Sequence, residues 1–231
     1  GEILSMIDPA VRQRYDYDNI QKLYTEYVAD KVDDHTQIEQ LKRLIEGKEV
    51  FVMVPGNSLN TYRQEIDDYI SKNHPIVISV NFVAEHPEII SFFGNAKRYS
   101  RLKEKRNGRK VIISSNVKSD TDQDIVVNYH SLINRGYKYF ENSTIMLLNL
   151  LKRVNPRKVT IAGFDGFSEN VDKNYVDASY QNERHITEFK ELNDELAKMF
   201  GEIVETMSPG CRFDMITPSK FKAVINGNRN S

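Results

Sequence analysis

The sequence predicts an α/β fold in which a mostly parallel sheet is doubly wound with helices. Two observations carry that expectation. Short apolar runs rich in β-branched residues alternate with longer stretches whose apolar residues recur at helical spacing, the order expected of βαβ units. Within the runs the apolar residues are nearly continuous, as strands covered on both faces require. At 231 residues, 39% apolar and 28% charged, the chain can bury one sizeable core.

Residues 1–46 read as helix. Ile20, Leu23, Tyr24, Tyr27 and Val28 fall at helical spacing, and Ile38, Leu41, Leu44 and Ile45 do so again after the polar break Asp30–Thr36. Gly47 stops the second helix. Strands are predicted at Glu49–Val54, Pro75–Val80, Ile89–Phe93, Lys110–Ser114, Lys158–Ala162 and Glu202–Met207. Helices are predicted at Thr61–Lys72, Ser143–Val154 and Glu183–Phe200, each with an apolar stripe. The expected organisation is a helical linker or extension over 1–47, a Rossmann-like nucleotide-binding domain over 48–225 and a frayed polar tail over 226–231.

Composition removes several functional classes. Lys+Arg is 32 against Asp+Glu 33, so no net charge advertises nucleic acid. The basic residues from Lys97 to Lys110 read as a solvated face or a phosphate-facing loop. The single Cys211 forms no internal disulfide, and no Cys/His cluster offers a zinc site. No run approaches a membrane span and no signal pattern opens the chain, so the expected location is the cytoplasm. The chain opens on Gly-Glu inside a polar helical stretch, which predicts a piece of a longer polypeptide.

In an open parallel sheet, ligands bind beyond the carboxyl ends of the strands. Four predicted ends carry suitable residues: Pro55-Gly56-Asn57-Ser58, then Ser79-Val80-Asn81, Gly94-Asn95 and Gly163-Phe164-Asp165-Gly166. Glycine lets backbone approach a ligand closely, and asparagine offers donor and acceptor together. The first turn is neither GxGxxG nor a P-loop, which disfavours a classical dinucleotide site and a Walker ATPase. Pro-Gly-Asn-Ser is also plain turn chemistry, yet three asparagines at successive strand ends converge on ligand binding. Asn142-Ser143-Thr144 opens the apolar helix; it reads as an N-cap, and a helix start at this edge also suits an anion. Asp165 can bond a ribose, orient a base or hold the loop that follows it. His35, His74, His86 and His130 lack supporting context. His185 stands at the start of the helix Glu183–Phe200, after the polar loop Glu169–Asn182, where a histidine can act as a general base at neutral pH. No metal site is expected.

The succession Val54-Pro55-Gly56-Asn57-Ser58-Leu59, Ser79-Val80-Asn81-Phe82 and Phe92-Phe93-Gly94-Asn95 resembles the first half of the bacterial family-42 sialyltransferases. Asn142-Ser143-Thr144 and Lys158-Val159-Thr160-Ile161-Ala162-Gly163-Phe164-Asp165 are similar to the second half, and proteins of the 6-hydroxymethylpterin pyrophosphokinase-like group share the layout. The likeness spans roughly residues 48–219. It implies a CMP-sugar donor used as substrate, with no further cofactor. Gly56, Asn57 and Ser58 would lie under the CMP, and Asn81 and Asn95 on nucleotide and donor. Ser143 and Thr144 would meet its phosphate or carboxylate, and His185 would be the general base. Phe167 falls where that family has a tyrosine near the phosphate, and Tyr175 matches a second such tyrosine. Pro55 replaces a small residue of the family's GNGPSL-like motif.

Asp16-Tyr17-Asp18 through Leu23-Tyr24-Thr25-Glu26-Tyr27, leading into Lys48-Glu49-Val50, is similar to the linker after the barrel of hydroxymethylglutaryl-CoA-lyase-type aldolases. This implies a fused or docked aldolase barrel as partner; a homo-oligomer is left open. Three functions follow as expectations. The first is metal-independent transfer of a CMP-activated sugar to an acceptor hydroxyl, of the bacterial surface polysaccharide type. The alternatives are a non-catalytic nucleotide-binding or docking module, and a pterin-type diphosphokinase using magnesium at Asp165 and Asp172.

Overall fold

A computed structural model describes residues 31–102, 105–168, 174–175 and 188–227. Seven strands form one sheet: β1 Glu49–Met53, β2 Ile76–Val80, β3 Ile90–Phe93, β4 Val111–Ser114, β5 Ile125–Val127, β6 Lys158–Ala162 and β7 Arg212–Met215. Their order is β5-β4-β3-β2-β1-β6-β7 and every pairing is parallel. The expected doubly wound α/β fold is therefore present, with the winding direction reversing between β1 and β6. That reversal leaves the two following loops on opposite sides of one crevice.

Period-two alternation divides the strand residues between the two helical layers. Val50 and Val52 join the larger core, which is closed by α1 His35–Ile45, α5 Ser143–Val154, α6 Glu188–Thr206 and α7 Lys222–Gly227. Phe51 and Val77 join the opposite face beneath α2 Ser58–Thr61 and α3 Arg63–Asn73. The short α4 Ala96–Ser100 covers Phe93, Val111 and Ile113 through Tyr99. Helix α5 is buried along nearly its whole length because it lies between α1 and α6, which explains its apolar sequence.

Two strand expectations are corrected. Glu202–Met207, read as a strand, belongs to the end of α6 and the turn after it. Ile203, Val204 and Met207 continue the buried stripe of Leu192, Leu196, Met199 and Phe200, so a brief β-branched cluster imitated a strand inside a helical period. The edge strand is Arg212–Met215 instead, whose exposed and buried residues alternate. Strand β5, only three residues long, gave no run to detect. The helix predicted at Thr61–Lys72 divides at Tyr62 into α2 and α3.

Helix α1 packs its buried face of Ile38, Leu41 and Ile45 into the main core, so residues 35–45 share that core with the strands. The helix read over residues 1–30, all of the predicted loop Glu169–Asn182 but Asn174 and Tyr175, the predicted helix start over 183–187 and the tail 228–231 lie outside the described residues. No helix among the described residues is long and apolar enough to cross a membrane.

Candidate functional site

The floor of the site is the reversal between β1 and β6, where two loops meet backbone to backbone. Val54 N–H donates to the Ala162 carbonyl at 2.9 Å, and Gly56 N–H to the Gly163 carbonyl at 3.1 Å. A Cβ on Gly56 would fall 2.1 Å from the Gly163 oxygen; one on Gly163, whose φ is +80°, would fall 1.9 Å from the Val54 oxygen. Only glycine fits both positions, because neither backbone oxygen can retreat without opening the β1–β6 pairing.

Above this floor is a cleft of about 380 Å³. It gathers Gly56, Asn81, Asn95 and Asp165 from four strand ends, and Asn142, Ser143 and Thr144 from the start of α5. Phe167 and Tyr175 also line it. Asn57 and Ser58, expected in the same place, line a neighbouring open depression with Thr61, Ser219 and Lys220; Asp165 borders both. His185 and Asp172 lie outside the described residues.

The three asparagines share one feature that spacing could not reveal. Asn81, itself at φ +61°, accepts from Gly94 N–H at 3.2 Å through Oδ1. Asn95 caps α4 by accepting from Arg98 N–H at 3.0 Å. Asn142 caps α5 by accepting from Ile145 N–H at 3.1 Å. An N–H requires an acceptor, so each carboxamide oxygen must face its own backbone. Each side chain keeps its Nδ2 donor unengaged by any hydrogen bond among the described residues, beside the second lone pair of its Oδ1. The first turn of the twelve-residue α5 adds N–H groups with no intrahelical acceptor.

Asp165 behaves differently. Its carboxylate accepts from Ser58 N–H at 2.8 Å and from the Ser58 hydroxyl, which locks the loop after β6 onto α2. Burial pushes its pKa above the usual carboxylate value, and the two Ser58 hydrogen bonds offset only part of that. A carboxylate whose folded pKa is raised favours the fold below its unfolded pKa, and this contribution is lost as pH rises through the folded value. Asp165→Asn should therefore leave the melting temperature at pH 7 unchanged or higher, since Asn keeps an acceptor for Ser58 N–H. Asp165→Ala should lower it, because a donor is left unpaired. Thermal unfolding of both variants decides this; equal losses would mean the acceptor is immaterial.

Phe167 is a packing residue in this arrangement. It stacks on Phe189 with centroids 5.7 Å apart and meets Tyr175 edge-on at 5.8 Å. Its backbone is gripped at both ends by Asn193, which accepts from its N–H at 2.9 Å and donates to its carbonyl at 2.7 Å. Arg98, from the β3 side, lies over the Tyr175 ring at 5.8 Å.

Arg98, from the basic run read as a solvated face or a phosphate-facing loop, lines the cleft, and so do Lys138, Glu141 and Glu188, which sequence reasoning missed. Glu188 and Leu192 are one turn apart on α6 and so share a face. Lys138 and Glu141 come from the turns before Asn142, a stretch without periodicity to mark it. Among the described residues no group of three His, Cys, Asp or Glu is arranged to hold a metal. No protein-family model and no curated protein matches the chain.

Proposed function

We propose that this chain binds a nucleotide-activated sugar, CMP-linked by the resemblance of its motifs, and transfers the sugar to an acceptor hydroxyl. The observation that carries the reading is the donor character of the cleft. Three asparagines present Nδ2 groups that bond nothing among the described residues, α5 presents its first turn, and Arg98 and Lys138 add cations beside the carboxylates of Glu141, Asp165 and Glu188. A ligand that fits is rich in acceptors and carries negative charge, as a phosphate joined to ribose and sugar hydroxyls does. The position agrees, since the cleft lies at the β1–β6 reversal where doubly wound sheets take nucleotides.

In the proposed reaction His185 removes the acceptor hydroxyl proton. The freed oxygen bonds to the anomeric carbon, and the bond from that carbon to the phosphate oxygen breaks, with CMP taking the electron pair. The leaving phosphate gains charge at the donor-lined end, where preorganised N–H groups stabilise it. The diphosphokinase reading is weaker because Asp165, one of the two carboxylates it needs, is engaged by Ser58.

Calorimetric titration with CMP tests the reading: binding below millimolar is expected, and no heat at millimolar CMP overturns it. Asn142→Asp isolates the donor. Asp caps a helix as well as Asn, so stability should be retained. The lost Nδ2 donor and the added charge should weaken CMP by on the order of tenfold or more. Unchanged affinity in this variant would remove Asn142 from the site. His185→Ala should abolish transfer while CMP affinity survives; binding with no transferase activity in the wild type would favour a non-catalytic module.

A further inference from the structure

The donor end of the cleft hangs on a segment with no regular structure of its own. Residues 134–142 cross the molecule as a strap of turns between the Tyr129–Ser131 3₁₀ turn and α5. Such a segment must satisfy its backbone N–H groups elsewhere; two of them, and several of its side chains, are taken by one stripe of α6. Glu195 accepts from two consecutive amides, Lys138 N–H and Tyr139 N–H, both at 2.9 Å and each through a different carboxylate oxygen. One helical turn earlier, Glu191 takes the Lys138 ammonium at 3.5 Å and the Tyr139 hydroxyl at 3.4 Å. Two turns later, Glu202 takes Asn134 Nδ2 at 3.2 Å and the Tyr137 hydroxyl.

From Glu195 the chain of contacts runs directly to the ligand end. Tyr139, whose N–H is held by Glu195, accepts through its carbonyl in the next peptide unit from Asn142 N–H at 3.3 Å. Asn142 caps α5 through Ile145 N–H and lines the cleft with Lys138. Resting on the nucleotide reading above, we infer that Glu195 is a positioning residue: from outside the cleft it fixes where Lys138 and the Asn142 cap meet the ligand's phosphate. Glu191 and Glu202 bind only side chains of the strap, whereas Glu195 binds its backbone, so Glu195 sets the path of the chain and the others tether its surface. The phosphate site is thereby joined to α6, whose first turn supplies Glu188 to the same cleft.

The test pairs a phosphate-bearing probe with a phosphate-free one. CMP and cytidine are titrated calorimetrically into the wild type, Glu195→Ala and Glu195→Gln. Glu195→Ala should weaken CMP on the order of tenfold, the scale of a lost charge-assisted contact, and leave cytidine nearly unchanged. Glu195→Gln keeps one acceptor oxygen and should fall between. Equal weakening of both probes, or unaltered CMP affinity, overturns the proposal. Hydrogen exchange over residues 137–145 reads the strap with no ligand present: Glu195→Ala should accelerate it there while the strand amides stay protected, and unchanged exchange overturns the proposal whatever binds. A wild type that ignores CMP while Glu195→Ala still loosens the strap counts against the nucleotide and keeps the positioning role.

Discussion

Gly163→Ala is expected to lower the melting temperature by on the order of 10 °C. Two costs combine at this position. The backbone sits at φ +80°, which an L-residue adopts at a cost of about 1 kcal/mol or more. The new Cβ would also stand 1.9 Å from the Val54 carbonyl oxygen, a backbone atom fixed by the β1–β6 ladder. Relieving that overlap means parting β1 from β6 at the floor of the cleft. A total of about 3 kcal/mol is a reasonable scale, and each kcal/mol moves a domain of this size by about 2–4 °C. Gly47→Ala is the control. It has a similar φ of +71° but nothing within 4 Å of an added Cβ, so only the conformational cost applies. Thermal unfolding by circular dichroism compares them; equal losses would show that the close approach does not matter. Gly163→Ala should also lose CMP binding under conditions where it remains folded, because the floor itself is displaced.

Arg153→Ala should cost about 2 kcal/mol, less than stripping one partner from a fully buried ion pair, because Arg153 is 31% exposed while Asp34 is buried. Asp34 precedes α1 and is buried. The Arg153 guanidinium grips it with two bonds, 2.6 Å to Oδ2 and 2.9 Å to Oδ1, and Asn128 N–H adds a third at 2.8 Å. Three elements distant in sequence are tied at this point: the start of α1, the end of β5 and the last turn of α5. Burial pushes the Asp34 pKa up. The Arg153 hydrogen bonds, the Asn128 amide and the Arg153 charge together outweigh burial and hold it below the ordinary value of 3.8.

The sign of the pH dependence follows. A depressed carboxylate contributes stability that is present above its unfolded pKa and fades as pH falls through the folded one. The stability gap between wild type and Arg153→Ala should thus be widest near neutrality and narrow below about pH 4. Urea unfolding across that range measures the gap, and a constant value would show that Asp34 charge is not what Arg153 neutralises. Adding Asp34→Asn to Arg153→Ala should recover part of the loss, since no unpaired buried charge then remains.

Much of the scaffold could be read from local pattern. The strands at Glu49, Ile76, Ile90, Val111 and Lys158 announced themselves as β-branched runs closed by turn residues. The α5 cap was visible as Asn142-Ser143-Thr144 before an apolar stretch. Failures came where local pattern was shared by two structures or absent. Ile203-Val204 fits a strand and a helical stripe alike, and only packing against the core selects the helix. Strand β5 has three residues, too few to show any period.

The site divides in the same way. Polar residues at strand ends could be named individually, because turn chemistry is local. Their assembly depended on strand order: β1 lies between β2 and β6, so loops more than a hundred residues apart share one crevice. Ser58 shows the limit, for its spacing matched a ligand contact, yet its hydroxyl and amide both close on Asp165 across 107 positions of chain.

What the sequence determined by itself was the inventory of elements and the residue types at their ends, since these follow from periodicity, capping and turn preferences within a few residues. Tertiary structure alone decided which end of each asparagine amide remains for a ligand, and which carboxylates hold the chain. Those outcomes depend on a backbone N–H brought alongside by folding, and no spacing along the chain records where it arrives.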